Sequence, residues 1–173
     1  MQTAQPAVPN AIQEVRRDEF LVSTDPALLN LEVIHGFLTT SYWAKGIPRE
    51  LVAQSIEHSL CFGVYDVGDG ESPRAGTASA KESHAQVGFA RAISDYSTYA
   101  YVADVFILES HRGRGLGKLL MGSIRRYPRL QNLRRWSLST LDAHGLYSQF
   151  GFTPLNFPDR YMEILDLNRY KEA

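Results

Sequence analysis

The chain has a single cysteine, Cys61, in 173 residues. An internal disulfide is therefore excluded, and nothing points to an oxidising compartment. Cys61 stands between Leu60 and Phe62, the setting of a buried, inert thiol rather than a nucleophile. Long apolar runs are missing too, so no segment is expected to cross a membrane. The N-terminus lacks the basic start and apolar stretch of a secretion signal, and Pro6 and Pro9 interrupt it. Neither sign of charge dominates: 18 Lys and Arg face 19 Asp and Glu, a formal net charge of -1. No overall field then draws nucleic acid or a membrane surface, and any anion site must be a local arrangement. His35, His58, His84 and His111 have no metal-ligand spacing, and internal repeats and low-complexity tracts are absent. These absences lead to an expectation of a cytoplasmic protein with no metal, no nucleic-acid partner and no membrane association.

What is present is ordinary globular composition, 44% hydrophobic and 21% charged. Residues 1–18 read as a flexible tail and 19–173 as one domain. Phe20 to Val22 reads as a short strand, and Thr24-Asp25-Pro26 as a helix start, with an oxygen-bearing cap before a proline. Leu28, Leu31, Ile34 and Leu38 follow at helical spacing. Pro48 opens a second helix, and Leu60 to Tyr65 is the next strand. Residues 67–85 are polar and rich in Gly, Ser and Ala, a long mobile connection. Gln86 to Ile93 and Thr98 to Leu108 are then strands. Leu116, Leu119, Leu120 and Ile124 form a helical stripe. Arg135 to Thr140 alternates as a strand does. Asp142 can cap a short helix that ends at Gly151, and Tyr161 to Leu167 is a last strand. Helices, a run of strands, then strand–helix–strand–helix–strand predict a mixed α/β or α+β sheet.

The informative stretch is the turn from the strand ending at Leu108 into the helix at Leu116. It carries Arg112-Gly113-Arg114-Gly115-Leu116-Gly117-Lys118. Alternate glycines let backbone N–H groups face a ligand. The helix start adds unpaired N–H groups and partial positive charge. Arg112, Arg114 and Lys118 add full charges, so the turn is a candidate phosphate cradle. A P-loop needs a longer spacing and a Ser or Thr after its lysine, whereas Leu119 follows Lys118 here. A dinucleotide fold needs its third glycine one place later and an acidic residue on the next strand, which here ends in Ser139-Thr140.

The hexad Arg112 to Gly117 instead resembles the R-x-x-G-x-G/A signature of GNAT acetyltransferases. Tyr147-Ser148-Gln149-Phe150-Gly151-Phe152 is similar to the family's Y-x-x-x-G-F segment, one strand and one helix later. The resemblance covers most of the chain from Phe20 on and is sharpest from Tyr101 to Phe152. It implies a mostly antiparallel sheet of about six or seven strands, helices on both faces, and a V-shaped splay that admits acetyl-CoA. Two positions depart from the family's habit. Glu109 stands where many members have proline, and Thr140-Leu141-Asp142-Ala143-His144 where many have an asparagine beside the pantetheine arm. That contact passes to Asp142 or His144, or is lost.

The resemblance implies acetyl transfer from acetyl-CoA to a primary amine of a small molecule or peptide, directly in a ternary complex. A non-catalytic acetyl-CoA-binding regulator is the alternative. Backbone amides near Phe106 and Ile107 are expected to polarise the thioester carbonyl. Tyr147 matches the family's proton donor, although its helical spacing with Ala143, Leu146 and Phe150 also suits an aromatic packing residue. An alkyl amine with pKa near ~10.4 needs help to lose its proton. Asp104 is the first candidate for that help, as base or as an electrostatic anchor, and a strand-face ion pair is the other reading. His144 is a second candidate that equally suits a solvated helix start. Tyr42 and Trp43 either wall the acceptor site or anchor their loop on the core. The resemblance leaves a homodimer open.

Overall fold

The computed structural model describes residues 11–68 and 84–170. Six strands, β1 (Glu14–Arg17), β2 (Phe20–Ser23), β3 (Leu60–Asp66), β4 (Ala85–Ser94), β5 (Tyr99–Ile107) and β6 (Arg135–Ser137), lie in one sheet in sequence order. All neighbours are antiparallel except β5 and β6, which are parallel. Helices α1 (Leu31–Leu38) and α2 (Arg49–Glu57) cover one face, α3 (Leu116–Arg125) and the single-turn α4 (His144–Tyr147) the other. The sheet is buried on both faces, so each side has its own core. Phe62, Val64, Val102, Leu120, Met121 and Ile124 belong to the α3 side. Ile34, Leu38, Val52, Cys61, Phe89 and Phe106 belong to the α1 and α2 side.

Four details differ from the reading of the sequence. Within the expected tail, Glu14–Arg17 pairs with β2, because an edge strand with one apolar residue (Val15) leaves little pattern. Asp25 does cap a turn, but only the 3-10 turn Pro26–Leu28; Asn30 caps α1 by accepting the N–H groups of Glu32 and Val33. Asp142 caps nothing in α4, whose approach is fixed by Thr140 Oγ1 accepting the Ala143 N–H at 3.0 Å. The expected last strand, Tyr161 to Leu167, pairs with no other described strand and lies outside the sheet. Most of the expected connection at 67–85 falls on residues 69–83, outside those described.

Two irregularities in β5 position the site. Phe89 pairs with Phe106 but Arg91 with Ala103, so β5 spends one residue more than β4 over this span. The extra residue is accommodated at Asp104, whose φ of 55° is left-handed. The β5–β6 ladder, in turn, stops at Tyr101 opposite Ser137, while β5 runs on to Ile107. Beyond that point the two parallel strands are unpaired with each other, and the sheet opens as a V.

Candidate active site

A cavity of about 650 Å³ occupies the opening. Its floor is the end of β5, with Val105, Phe106 and Ile107. The turn into α3, Tyr147, Tyr42 and Trp43 complete its lining. The Leu108 N–H bonds back to Val87 in β4 at 2.8 Å. By strand alternation the Ile107 and Val105 amides therefore face the opening. The Phe106 amide faces β4, and its ring stacks on Phe37 with centroids 3.9 Å apart. Of the two amides named from the sequence, Ile107 is the one aimed into the cavity.

The turn is shaped by Gly113 and Gly115, with φ of 77° and 73°. A residue with a side chain is strained at such angles. Gly115 is also the N-cap of α3, with no side-chain cap, so the first-turn N–H groups are left to the cavity. Arg112, Gly117 and Lys118 line the cavity as well. Arg112 Nε donates to the Ile107 carbonyl at 3.2 Å, which ties the turn to the strand end. Arg114 points elsewhere, towards Glu19 (3.6 Å) and the ring of Phe20; what it gives the turn is backbone. Leu116 is buried in the α3 core and anchors the helix start.

Arg17 is a residue the sequence reading missed. From β1 its Nη2 donates to the Arg114 carbonyl at 2.7 Å, and its Nη1 to the Gly115 carbonyl at 3.4 Å. Holding those carbonyls on the far side keeps the opposite, N–H side of the turn towards the cavity. His111 also lines the cavity, and its Nε2 lies 3.5 Å from Asp66.

Tyr147 is buried, and burial pushes its phenol up to about 12, with Tyr42 and Asp142 adding smaller contributions. The group stays protonated at any physiological pH. Asp142 borders the cavity, whereas His144 is exposed and does not. The Tyr42 hydroxyl accepts the Leu141 backbone N–H at 3.0 Å, linking the α1–α2 loop to the segment before α4. Trp43 packs edge-on against Tyr42, with centroids 4.9 Å apart. Its Nε1 donates to Asp104 Oδ1 at 3.2 Å. The other oxygen, Oδ2, accepts a short bond from Arg91 Nε, within an ion pair that is largely buried. Both oxygens of Asp104 are thus engaged. Among the described residues, no group of three His, Cys, Asp or Glu could hold a metal, and no helix is long and apolar enough to cross a membrane.

The arrangement brings the glycine turn, the Ile107 N–H and the protonated Tyr147 phenol to one groove. Comparison with known proteins supplies the family. Residues 73–154 match the family model described as Acetyltransferase (GNAT) domain. A protein of Gibberella zeae, assigned by name as an acetyltransferase, is 35% identical over 145 residues, covering 79% of this chain and 80% of its own. A crystal structure of a protein from Xanthomonas campestris pv. campestris, described as belonging to the GNAT family, is 47% identical. It superposes with a TM-score of 0.74 over 87% of this chain and 96% of that one. A Staphylococcus aureus structure shares the fold at 23% identity, with a TM-score of 0.62 over 85% and 98% of the two chains. The chain belongs to the GNAT family of acetyltransferases, whose cosubstrate is acetyl-CoA.

Proposed function

We propose that the enzyme transfers acetyl from acetyl-CoA to a primary amine of a small molecule or peptide, directly, with both substrates bound together. The observation that carries this reading is the continuity of one cavity from the glycine turn to Tyr147, Tyr42 and Trp43. The residues fit coenzyme A. The turn offers open backbone amides at Gly113 to Gly117, with Arg112 and Lys118 beside them, a donor set suited to a pyrophosphate. Asp142 and the Ile107 edge of the groove suit the uncharged pantetheine arm. Bound there, the cosubstrate supplies an activated acetyl thioester.

The remaining work falls to the chain's own groups. The Ile107 N–H, fixed in the strand and facing the opening, polarises the acetyl carbonyl. Tyr147 donates its phenolic proton towards the departing sulfur. An ordinary thiol titrates near ~8.5; the burial that raises the phenol also raises a thiol, which keeps donor and acceptor closer in proton affinity. Asp104, its charge met by Arg91, holds the Trp43 indole through its Nε1 bond and so positions the Tyr42–Trp43 wall that receives the acceptor amine. The amine proton then leaves by water.

Calorimetric titration with acetyl-CoA tests the first half. Gly117 has ordinary helical geometry, and a Cβ there only touches Leu146 at 3.5 Å, so Gly117→Glu folds while placing a carboxylate at the cradle. Binding by the wild type and loss in this variant is the expected outcome. Equal binding by both would remove the turn from the reading. A screen of primary amines with the wild type and Tyr147→Phe tests the second half, and turnover that ignores the substitution would refute the donor role.

A further inference from the structure

Gly113, Gly115 and Gly117 alternate along the turn, so its backbone has more freedom to lose than an ordinary loop. A cradle built of amides binds well only when those amides are held in place beforehand. The N-cap of α3 supplies no side-chain bond for this. The side chain that does hold the turn is Arg17, which comes from β1 and lies outside the cavity lining. Its two hydrogen bonds fall on adjacent peptide units. A trans peptide points its N–H opposite to its C=O. The bond to the Arg114 carbonyl therefore sets the direction of the Gly115 N–H, and the bond to the Gly115 carbonyl that of the Leu116 N–H. Both N–H groups are turned away from Arg17, and Gly115 and Leu116 both line the cavity. A carbonyl engaged by a cation also polarises its own peptide unit and makes the N–H a better donor.

Arg17 is itself held. It pairs with Phe20 in the β1–β2 hairpin, whose turn bends through Asp18 at a left-handed φ of 53°. The Val67 N–H bonds to the Glu19 carbonyl at 2.8 Å, which fastens the hairpin tip to the end of β3. Among the described residues Arg17 has no ion-pair partner, so its charge adds to the positive field behind the turn. We infer that Arg17 is a positioning residue for acetyl-CoA: it presets the Gly115 and Leu116 amides towards the pyrophosphate, so that the N-terminal hairpin, outside the 73–154 family match, sets cosubstrate affinity. The inference rests on the assignment of the glycine turn to the pyrophosphate.

Arg17→Met keeps the aliphatic stem and removes both bonds. The side chain is partly exposed and the hairpin keeps its backbone pairing, so the variant folds. Calorimetry with acetyl-CoA should give a Kd about 10-fold above that of the wild type, the scale of two exposed hydrogen bonds. S-acetylpantetheine carries the same thioester and arm but stops short of the pyrophosphate. Its weaker binding, followed by nuclear magnetic resonance, should be the same in both proteins. Arg17→Lys keeps the charge but not the two-pronged donor, and it should bind acetyl-CoA more weakly than the wild type. Unchanged acetyl-CoA affinity in Arg17→Met, with binding still abolished by Gly117→Glu, would overturn the inference and leave the role of the turn standing. Equal losses for acetyl-CoA and S-acetylpantetheine would overturn it too, because a general loosening of the fold acts on both. Wild-type affinity in Arg17→Lys would reduce Arg17 to a charge and remove the positioning role. A wild type that does not bind acetyl-CoA takes down the inference together with the reading of the turn.

Discussion

Arg91, in the middle of β4, reaches across the bulge of β5 to hold the carboxylate of Asp104. The pair lies beneath Trp43, and the Arg91 Nη1 also donates to Ser59 Oγ at 3.3 Å. A largely buried charge deprived of its partner is costly. Arg91→Met is expected to lower stability by about 1.5–3 kcal/mol, the range for a hydrogen bond to a charged group. Asp104→Asn keeps the shape and the Trp43 contact but leaves Arg91 without its countercharge, so it should also lose stability, by about 1.5–3 kcal/mol, and it should raise KM for the amine more than it lowers kcat. Urea unfolding and steady-state kinetics on the two variants check this. A kcat collapse in Asp104→Asn with KM unchanged would instead make the carboxylate a proton acceptor.

Tyr147→Phe should lower kcat by roughly 10²–10⁴, the usual contribution of a positioned acid, with little change in acetyl-CoA affinity. The phenol must be protonated to donate. Because burial pushes it up to about 12, it is fully protonated through pH 10. The wild-type pH profile of kcat/KM should therefore rise with amine deprotonation and show no alkaline fall below pH 10. A descending limb near pH 9 that vanishes in Tyr147→Phe would contradict this.

Tyr65 is wholly buried in β3, and its hydroxyl has no hydrogen-bond partner among the described residues. A buried unsatisfied hydroxyl costs about 1–3 kcal/mol. Tyr65→Phe is expected to be neutral or stabilising, by up to about 1 kcal/mol. Burial also raises this phenol above its unfolded value. Its contribution is thus complete below the unfolded pKa of about 10 and is lost as pH rises beyond it. Removing the hydroxyl should flatten the decline of stability above pH 10, which thermal melts between pH 8 and 11 would measure.

Cys61 faces the α1–α2 core, and burial pushes its thiol up to about 12. A protonated, enclosed thiol is a poor nucleophile. Labelling by an aromatic disulfide reagent at pH 8 should be far slower in the native protein than in denaturant. Full acetyltransferase activity is expected in Cys61→Ala.

The turn and α3 were legible because their signals are local: alternate glycines, clustered cations, then a helical stripe at Leu116, Leu120 and Ile124. The inert setting of Cys61 was legible in its two apolar neighbours. Long-range facts left fainter marks. Arg17 reaches the turn only through β1, whose four residues hold one apolar side chain. Arg91 did have a signal, a lone charge among Phe89, Ala90 and Ala92, that asks for a buried partner. The bulge at Asp104 had none, since no glycine marks its left-handed φ. Residues 161–167 read as a strand from their composition, but composition does not say whether a strand joins the sheet, and these lie outside it.

That bulge acts as a change of phase. Before it, Val102 faces the α3 core; after it, Phe106, still an even-numbered residue, faces the α1–α2 core, and odd-numbered Ile107 turns to the α3 side. Were the strand regular, Phe106 would aim at the wrong layer and Ile107 would give its N–H to β4. Deleting one residue at 104 or 105 would shift every later residue of β5 by half a period, whereas most substitutions there would leave the phase intact. The count of residues between Ala103 and Phe106 is thus, apart from their identities, itself part of the active site.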